Sequence, residues 1–340
     1  MKALVYTGVR KLELQDWPDP RLERGEALVR VVGVGVCGSD VHGWLGHSRG
    51  RVPPLVLGHE MAGVVERLEN GGTTLQVGDH VAVYPLVGCD TCGYCAAGRE
   101  CLCRRKKLLG MHVAGGFAEY LKAPAKNLYP IHARLSLAEG ALVEPLANAL
   151  HFVRAAAADR GPCAILGAGA IGLLILEVAR QMSVAPAGRI AVVEVNPNRS
   201  AIATKHGAAL VVNPKEPDAL ARLDQFFGED GCAVVFDAAG LSATRQMAMK
   251  LVRSEGVIVL AGLSEAETTL DFIEVIRREV RLAGVYAYGR EEFQLAAQWM
   301  AEGRVNLDGL LSEARLADGQ SIFEDLARPD SERVKVILKP

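Results

Sequence analysis

The stretch CAILGAGAIGLLIL, residues Cys163–Leu176, joins a short apolar run to three glycines at G-x-G-x-x-G spacing. Gly167 permits a tight turn, Gly169 lets the backbone approach a pyrophosphate, and Gly172 lets the following helix pack closely on the strand. The amino terminus of such a helix also attracts an anion. These features predict the strand, turn and helix of a dinucleotide-binding domain, with Ile171 in the same loop among the cofactor-binding residues.

Strand and helix patterns alternate downstream of this loop. The segments RIAVVEV, CAVVFDAAG, GVIVLAG and VRLAGVYAY have the β-branched, glycine-bounded pattern of strands, and helical patterns lie between most of them. Alternation of this kind is typical of a doubly wound parallel sheet. The middle of the chain is therefore predicted to form an α/β domain.

An acidic residue stands near the end of the second of these strands. Glu194 in RIAVVEV lies at roughly the expected distance from the loop for the acid that binds the adenosine ribose. A carboxylate there accepts hydrogen bonds from ribose hydroxyls and repels a 2′-phosphate, which favours NAD over NADP. The alternative is that Glu194 only caps the following turn. Arg199 is placed to contact the adenine or a phosphate, although a solvated arginine on a helix face fits equally well.

The sequence before the loop has a different character. Up to about residue 125 it is rich in strand and turn patterns, including KALVYTG, ALVRVVGVGVCG, GHEMAGVVERL and VGDHVAVYPL. A helical period replaces this pattern over residues 135–157. A β-rich region therefore precedes the α/β domain, and a length of 340 residues fits about two domains.

Composition argues against several functional classes. Hydrophobic residues make up 50% of the chain, ample for sizeable cores, and a formal net charge of −2 argues against a dedicated nucleic-acid binder. The start lacks the apolar core of a signal peptide, and the longest apolar run is too short and too glycine-rich to span a membrane. We therefore expect a soluble cytoplasmic protein without membrane or nucleic-acid partners, whose thiols stay reduced.

Five of the eight cysteines lie in GCDTCGYCAAGRECLC, residues 88–103. Cys89, Cys92, Cys95 and Cys103 follow C-x2-C-x2-C-x7-C spacing, in which short steps on tight turns let several sulfurs converge. Four thiolates suit tetrahedral zinc with no open position, and hence a structural site. The alternatives are a disulfide, a redox pair or packed thiols, and the basic RRKK that follows also fits a nucleic-acid-binding zinc ribbon.

Two further stretches place metal-binding side chains near strand ends. They are GVCGSDVHGW and VLGHEMAG, which carry Cys37, Ser39, Asp40, His42, His59 and Glu60. A thiolate, an imidazole and carboxylates form a mixed ligand set that leaves a position for water or substrate, as in catalytic zinc sites. The alternative is a buried cysteine and a hydrogen-bonded core histidine.

Together these motifs resemble the zinc-containing medium-chain alcohol and polyol dehydrogenases, in the branch of sorbitol and threonine dehydrogenases. The resemblance extends over essentially the whole chain. It rests on GVCGSDVH, LGHEMAG, CDTCGYCAAGRECLC, GGFAEY, VEPLANALH, LGAGAIG and FEDLARPDSERVKVILKP, in the order of the family. It implies a GroES-like, β-rich catalytic domain, residues 1–146 and 288–340, interrupted by a Rossmann NAD-binding domain, residues 147–287.

The resemblance also implies a catalytic zinc site. Cys37 and His59 match the family's catalytic zinc ligands, and Glu60 matches a ligand or an exchanging carboxylate beside them. Glu144 stands where the polyol branch has its carboxylate, although a cap at the start of a helix is the alternative. The zinc site is therefore expected to contain a thiolate, an imidazole and carboxylates.

Further roles follow from the same resemblance. Ser39 and His42 have the spacing of the family's proton relay, which leads from the alcohol to a surface histidine. Cys103 matches the last structural ligand, which leaves Cys101 outside the cluster. Two zinc ions per chain are therefore expected, one catalytic and one structural.

By this resemblance the chain is expected to oxidise a secondary hydroxyl of a polyol, sugar alcohol or related polar alcohol to a ketone, with transfer of hydride to NAD. Alternatives are L-threonine 3-dehydrogenase or sugar-phosphate polyol dehydrogenase activity, or a zinc-binding relative without catalysis. Sorbitol itself is in doubt because Ala287 stands where sorbitol dehydrogenases often carry an arginine. A homo-oligomer is also expected, with a tetramer favoured over a dimer.

Overall fold

The computed structural model describes residues 1–48, 50–69, 73–131, 135–156, 160–185 and 188–340. The chain folds into two compact units. The first consists of Met1–Ala147, Tyr288–Arg304 and Leu311–Pro340, and the second of Asn148–Ala287 and Val305–Leu310. The chain therefore leaves the first unit twice and returns to it twice.

One short segment differs from the domain boundaries expected from the sequence. The sequence assigns all of residues 288–340 to the first domain, whereas Val305–Leu310 belongs to the second unit. Local contacts explain the difference, because the carbonyl oxygen of Asp308 lies 2.9 Å from Nε2 of His206 and Gly309 packs against Ile202. The hydrophobic periodicity of a sequence does not predict a single polar contact of this kind.

Most strand pairs in the first unit are antiparallel, and most of its strands are rich in valine and leucine. They are β1 (Lys2–Gly8), β2 (Lys11–Asp16), β3 (Glu26–Gly35), β4 (Leu55–Val56), β5 (Glu60–Leu68), β6 (His80–Val83), β7 (Leu86–Val87), β8 (Lys107–Leu108), β9 (Tyr120–Pro124), β10 (Leu128–Pro130), β17 (Leu311–Arg315) and β18 (Lys335–Lys339). Among the described residues, the main sheet has the order β10-β6-β5-β3-β18-β17, with β9 paired to β3, and a smaller sheet has the order β2-β1-β4.

The register of three strands in the main sheet converges on one position. Gly35 in β3 is paired with Glu60 at the start of β5 and with Ile337 in β18. A Cβ on Gly35 would lie 1.9 Å from Oε2 of Glu60, so only glycine leaves room for that carboxylate. The register therefore places Cys37, which follows β3, close to Glu60 and to the start of β18.

Short helices and turns complete the first unit. They are α1 (Gly38–Trp44), α2 (Gly93–Ala96), α3 (Leu137–Gly140), α10 (Arg290–Ala301) and α11 (Gly319–Leu326), with 3-10 turns at Glu100–Leu102, Ala125–Asn127 and Leu316–Asp318. Helix α4 (Val143–Ala155) begins in this unit and continues into the second. Trp44 and Phe117 both pack edge-on against Phe323 of α11, which fixes α1 and α11 in one apolar core.

The second unit is a parallel sheet with helices between its strands. Its elements are β11 (Cys163–Leu166), α5 (Ala170–Gln181), β12 (Ile190–Val193), α6 (Pro197–Lys205), β13 (Leu210–Val212), α7 (Ala219–Phe227), β14 (Cys232–Asp237), α8 (Ser242–Leu251), β15 (Val252–Leu260), α9 (Phe272–Arg277) and β16 (Arg281–Gly284). Within the described ranges the strand order is β13-β12-β11-β14-β15-β16, and every pair is parallel. The order reverses between β11 and β14, where sheets of this kind bind ligands at the carboxyl ends of their strands.

The parallel order is that of the doubly wound sheet predicted from the sequence. In the described parts of the chain, no helix combines the length and the apolar surface that crossing a bilayer requires.

Candidate active site

The first unit brings three potential metal ligands together. One ligand atom each from Cys37, His59 and Glu60 lies within 4.8 Å of the other two. Cys37 is the N-cap of α1, Glu60 begins β5, and His59 directly precedes it, so the ends of two adjacent strands supply the set. A thiolate, an imidazole and a carboxylate at this spacing fit the coordination of zinc.

Asp40 is the buried partner of His59. Its carboxylate accepts hydrogen bonds from Nη2 of Arg51 at 2.9 Å and from the backbone N–H of Cys37 at 3.3 Å. Nδ1 of His59 lies 3.3 Å from the same carboxylate without reaching hydrogen-bond geometry. Burial would raise the pKa of Asp40, but His59 and Arg51 outweigh burial and lower this pKa to about 2. A carboxylate that stays ionised beside a histidine orients the ring for metal binding.

Cations balance the carboxylates at this site. Nζ of Lys335, the first residue of β18, lies 2.7 and 2.8 Å from the two oxygens of Glu60 and donates to the carbonyl oxygen of Val36 at 3.0 Å. Burial would lower the pKa of both Lys335 and His59, but nearby carboxylates and the Cys37 thiol outweigh burial and raise both pKa values. A divalent cation would displace the proton of His59, since metals bind the neutral imidazole.

Glu144 faces the same site but is not a member of the three-residue cluster. Its carboxylate, in the first turn of α4, accepts a 2.8 Å hydrogen bond from the buried hydroxyl of Tyr288. Burial raises the pKa of Glu144 to about 7, while His59 opposes this rise and Glu60 adds to it. A carboxyl group that titrates near neutral pH beside potential metal ligands can accept and return a proton.

Ser39 and His42 lie three residues apart on α1 and therefore share one face of that helix. Oγ of Ser39 accepts a 3.1 Å hydrogen bond from Nη2 of Arg51. Burial lowers the pKa of His42, and the nearby His47 and Arg51 lower it further. The imidazole of His42 is therefore neutral near pH 7 and can accept a proton.

The four cysteines singled out by their spacing converge in the first unit. One sulfur each from Cys89, Cys92, Cys95 and Cys103 lies within 4.8 Å of the others, and Cys101 is buried outside this group. Sγ of Cys95 lies 3.5 Å from that of Cys92 and 3.9 Å from that of Cys89. Zinc–sulfur bonds of about 2.3 Å give a tetrahedron with edges of about 3.8 Å, so the cluster fits zinc. Sulfur separations of 3.5 and 3.9 Å fit metal ligands, whereas the two sulfurs of a disulfide lie about 2.05 Å apart.

A partly buried ion pair anchors the cysteine segment. Nε of Arg290 in α10 lies 2.5 Å from Oε1 of Glu100, and Nη2 of the same arginine donates to Asn127 at 2.8 Å. The guanidinium also lies over the ring of Tyr84, with Cζ 4.7 Å from the ring centroid. These contacts hold the segment between Cys95 and Cys103 against the sheet of the first unit.

The glycine loop of the second unit fits a dinucleotide. Gly167 has a φ of 97°, which favours glycine, and Gly169 is the N-cap of α5. A Cβ on Gly172 would lie 1.9 Å from the carbonyl oxygen of Gly167, whereas a Cβ on Gly169 would meet nothing within 4 Å. Packing therefore requires Gly172, and the backbone of Gly169 is open to a pyrophosphate. Ile171 is partly exposed in the first turn of α5.

Glu194 connects this loop to the end of β12. Its carboxylate accepts backbone N–H bonds from Ala168 at 2.6 Å and from Val195 and Asn196 at 2.8 Å. Glu194 therefore caps the turn after β12, as the alternative interpretation expects, and in addition it holds the glycine loop. Arg199 lies in the first turn of α6, where its backbone N–H donates to the Asn196 side chain at 3.2 Å.

Comparison with known proteins identifies the family. The model of the alcohol dehydrogenase GroES-like domain matches residues 23–133, and that of the zinc-binding dehydrogenase matches residues 170–302. The probable D-xylulose reductase A of Aspergillus clavatus is 33% identical over 321 residues, which cover 91% of this chain and 88% of that protein. This chain belongs to the zinc-binding alcohol dehydrogenase family.

Solved structures of other dehydrogenases match the full length of this zinc-binding dehydrogenase. The 2R,3R-butanediol dehydrogenase of Bacillus subtilis is 28% identical with a TM-score of 0.90, over 100% of this chain and 99% of that chain. The L-idonate 5-dehydrogenase of Escherichia coli is 27% identical with a TM-score of 0.89, over 100% and 98%. A zinc-binding dehydrogenase of Sinorhizobium meliloti bound to NADP is 28% identical with a TM-score of 0.90, over 100% and 99%.

Family membership confirms the predicted fold class, a GroES-like domain with a Rossmann domain. It also confirms that this zinc-binding dehydrogenase is an enzyme of alcohol oxidation whose cofactors are zinc and a nicotinamide dinucleotide. A nucleic-acid zinc ribbon would account for the four-cysteine cluster alone, and it would leave the second metal cluster and the glycine loop unexplained.

Three buried residues around the metal cluster of this dehydrogenase were not identified from the sequence. They are Arg51, Tyr288 and Lys335. Lys335 could have been identified from the sequence, since it is a lysine within the apolar strand RVKVILK. Arg51 has no such signal, because an arginine in the stretch SRGRVPP, among glycine, serine and proline, is typical of a solvated loop. Asp40 was identified from its motif, but its contact with His59 was not predicted.

Proposed function

We propose that this dehydrogenase oxidises a secondary hydroxyl of a polyol or sugar alcohol to a ketone, with NAD as the hydride acceptor. The observation that carries the proposal is the pair of buried carboxyl groups at the metal cluster, Glu60 within it and Glu144 facing it. The names of the similar proteins refer to xylulose, idonate and butanediol, which all carry more than one hydroxyl or carbonyl oxygen.

The polarity of the site favours a hydroxylated substrate. Glu60, Glu144 and the hydroxyl of Tyr288 are buried together at the metal cluster. Glu60 is paired with Lys335 and Glu144 with Tyr288, and each carboxylate oxygen can accept a further hydrogen bond. A substrate with several hydroxyl groups can donate to these acceptors, whereas an apolar substrate cannot.

The chain's own residues would hold both metal ions. Cys37, His59 and Glu60 would bind the catalytic zinc, with Glu144 beside them as a ligand directly or through water. The four clustered cysteines would bind the structural zinc, which their number leaves without an open position. When bound, zinc lowers the pKa of an alcohol hydroxyl and the nicotinamide accepts a hydride from the alcohol carbon.

Ser39 and His42 would carry the proton that the alcohol loses. The hydroxyl of Ser39 can accept this proton while donating its own, and the neutral imidazole of His42 can take it up further along α1. Arg199 and the loop residues around Ile171 would contact the cofactor in the second unit.

Glu194 supports NAD over NADP. Its carboxylate is buried at the end of β12 and is fixed by the backbone N–H groups of Ala168 and Asn196. A fixed negative charge where such folds bind the adenosine ribose disfavours a 2′-phosphate. The Sinorhizobium meliloti relative is bound to NADP, so the fold itself does not exclude that cofactor, and the preference for NAD rests on the charge of Glu194.

A substrate panel tests the proposal. The purified, zinc-loaded enzyme is incubated with NAD and with polyols, vicinal diols, primary alcohols, threonine or sugar phosphates. We expect NADH formation with polyols or sugar alcohols and a ketone product in the NMR spectrum. A Cys37→Ser variant, which lacks one proposed ligand but keeps the four-cysteine cluster, is the inactive control. Turnover confined to primary alcohols or to threonine would refute the proposed substrate class.

We further infer that the dehydrogenase forms a homo-oligomer in a reducing compartment such as the cytoplasm. Helix α9 exposes Phe272, Ile273 and Ile276, each more than half accessible to solvent, while its Val275 packs on the core. Strand β16 follows α9 and forms an edge of the described sheet. Apolar side chains near an open strand edge support pairing with a second copy. The free thiols support the reducing compartment.

A further inference from the structure

Arg51 connects two parts of the active site. Its Nη2 donates to Oγ of Ser39 at 3.1 Å and to Oδ1 of Asp40 at 2.9 Å. Ser39 belongs to the proposed proton path, and Oδ1 of Asp40 lies 3.3 Å from Nδ1 of His59, a proposed metal ligand. One guanidinium nitrogen therefore contacts both Ser39 in the proton path and Asp40, the carboxylate that faces the proposed metal ligand His59.

The fold leaves space for this guanidinium. A Cβ on Gly43 would lie 2.2 Å from Cδ and 3.0 Å from Nε of Arg51, so the arginine packs against α1 because residue 43 is glycine. The side chain of Arg51 is only 4% exposed, and Asp40 is its ion-pair partner among the described residues. Asp40 alone neutralises the charge of Arg51, so charge neutralisation does not explain the additional bond to Ser39.

We propose that Arg51 is a positioning residue for alcohol oxidation, a role that rests on the proposed function. Its bond to Ser39 fixes the serine rotamer and occupies one acceptor position of Oγ. The other acceptor position then remains for the alcohol proton, and the serine's own hydrogen is directed away from the guanidinium. Its bond to Asp40 fixes the carboxylate that faces His59 and thereby the orientation of that ligand.

The contacts with Asp40 and with Ser39 require different properties of the side chain at position 51. Asp40 requires a positive charge, which lysine also provides. The simultaneous bonds to Asp40 and Ser39 also require the reach and the stiffness of the guanidinium, and the lysine side chain is one atom shorter and more flexible. Arg51→Lys should therefore retain the support of the metal site and loosen Ser39, whereas Arg51→Met should lose both.

Kinetics and zinc binding separate these effects. For Arg51→Met we expect a loss of about 10- to 100-fold in kcat and a comparable weakening of the catalytic zinc in chelator competition, with KM for NAD unchanged. For Arg51→Lys we expect zinc affinity within about threefold of the wild type, with kcat only partly restored. In a Ser39→Ala background, Arg51→Lys should lower kcat little further, because the hydroxyl that it misplaces is absent.

Arg278→Met provides the control. It removes a partly buried arginine of the second unit, which donates to the carbonyl oxygen of Met249 at 3.0 Å, outside the active site. We expect it to lower thermal stability while leaving kcat per zinc-loaded enzyme unchanged. In cobalt-substituted enzyme, the visible spectrum of the catalytic site should change in Arg51→Met and stay constant in Arg278→Met.

The possible failures can be told apart. Wild-type kcat and wild-type zinc affinity in both Arg51 variants would overturn the proposal. If Arg51→Met does not fold, Arg51→Lys with the Ser39→Ala background decides, since equal losses of kcat in both backgrounds would contradict a role through Ser39. If the wild type oxidises no alcohol, the proposed function fails, and the cobalt spectra and zinc affinities still test Arg51.

Discussion

Two cysteines that are two residues apart have different surroundings. The sulfur of Cys103 belongs to the four-cysteine cluster, whereas Cys101 is buried outside it and burial raises the pKa of its thiol. We expect Cys103→Ala to bind about one zinc per chain in place of about two and to unfold at a lower temperature. Cys101→Ala should keep both ions and lose less than about 1 kcal/mol of stability. Elemental analysis with thermal melts measures both, and the reverse pattern would make Cys101 the ligand.

Gly169 and Gly172 belong to one loop but differ in what surrounds them. Because a Cβ at position 172 would collide with a backbone carbonyl, Gly172→Ala should cost about 1–3 kcal/mol or prevent folding. Position 169 has open space, so Gly169→Ala should melt like the wild type and yet bind NADH more weakly, because the added methyl group lies where the pyrophosphate approaches. Thermal melts and NADH fluorescence titrations distinguish the two. A destabilised Gly169→Ala would contradict the assignment of that space to the cofactor.

Glu194 should determine the choice of cofactor. Glu194→Gln keeps a polar group of the same size but removes the charge that repels a 2′-phosphate. The ratio of kcat/KM for NAD to that for NADP should then fall by at least about tenfold. The loop should also loosen, since bonds from Ala168 and its neighbours to a charged acceptor are weakened. Equal efficiency of the unmodified enzyme with both cofactors would refute this interpretation.

At the scale of elements, a buried histidine joins α5 and α6 to the segment Val305–Leu310. Nδ1 of His206, the C-cap of α6, lies 2.9 Å from Oε1 of Glu177 in α5, an ion-pair distance although the atoms are not aligned for a hydrogen bond. Its Nε2 faces the carbonyl oxygen of Asp308 at 2.9 Å. Glu177 raises the pKa of His206, burial opposes the rise, and Asp308 adds to it, so the net pKa is raised. The folded state therefore favours the imidazolium.

This histidine should make the second unit pH-sensitive. Because the pKa of His206 is higher in the folded state than its unfolded value of about 6.5, its stabilisation is complete below that value and is lost as pH rises through the folded-state pKa. His206→Gln should therefore lower the melting temperature more at about pH 6 than at about pH 9. Glu177→Gln should reduce the same pH dependence. An effect of His206→Gln that is equal at both pH values would show that the residue contributes by packing alone.

At the scale of the whole molecule, local patterns predicted most of the architecture. CAVVFDAAG contains β14 (Cys232–Asp237), and the helical period over residues 135–157 contains α4 (Val143–Ala155). Both metal clusters were also visible, because their members are close in sequence and their residue types have few other uses together. Features formed by residues that are close in the sequence are the ones that a single sequence predicts best.

Long-range contacts account for the features that the sequence did not predict. Strand β17 has the sequence LSEAR, which lacks β-branched residues, and it exists because it pairs with β18 over five positions. Lys335 lies 275 residues from Glu60 along the chain. No local pattern reveals that partner, and the same holds for the contact of Glu144 with Tyr288 across 144 residues.

Assembly of copies should depend on the exposed face of α9. We expect the wild type to be a homo-oligomer in light scattering, with a tetramer favoured over a dimer. Ile276→Lys, which puts a charge on that face, should shift the enzyme to a smaller species without changing the fold. Val77→Lys, at a similarly exposed position in the first unit, should leave the mass unchanged. A monomeric wild type would contradict the inference.

The separate segments of the first unit impose an order on its synthesis. On the ribosome, Asn148–Ala287 emerges and can begin to fold while β18 and Lys335 are still untranslated. Until β18 is synthesised, β3 lacks its pairing with that strand, and the carboxylate of Glu60 lacks its ion-pair partner Lys335. An open edge of an apolar strand is the kind of surface that chaperones bind. Completion of the metal site is therefore among the last events in the biogenesis of this enzyme.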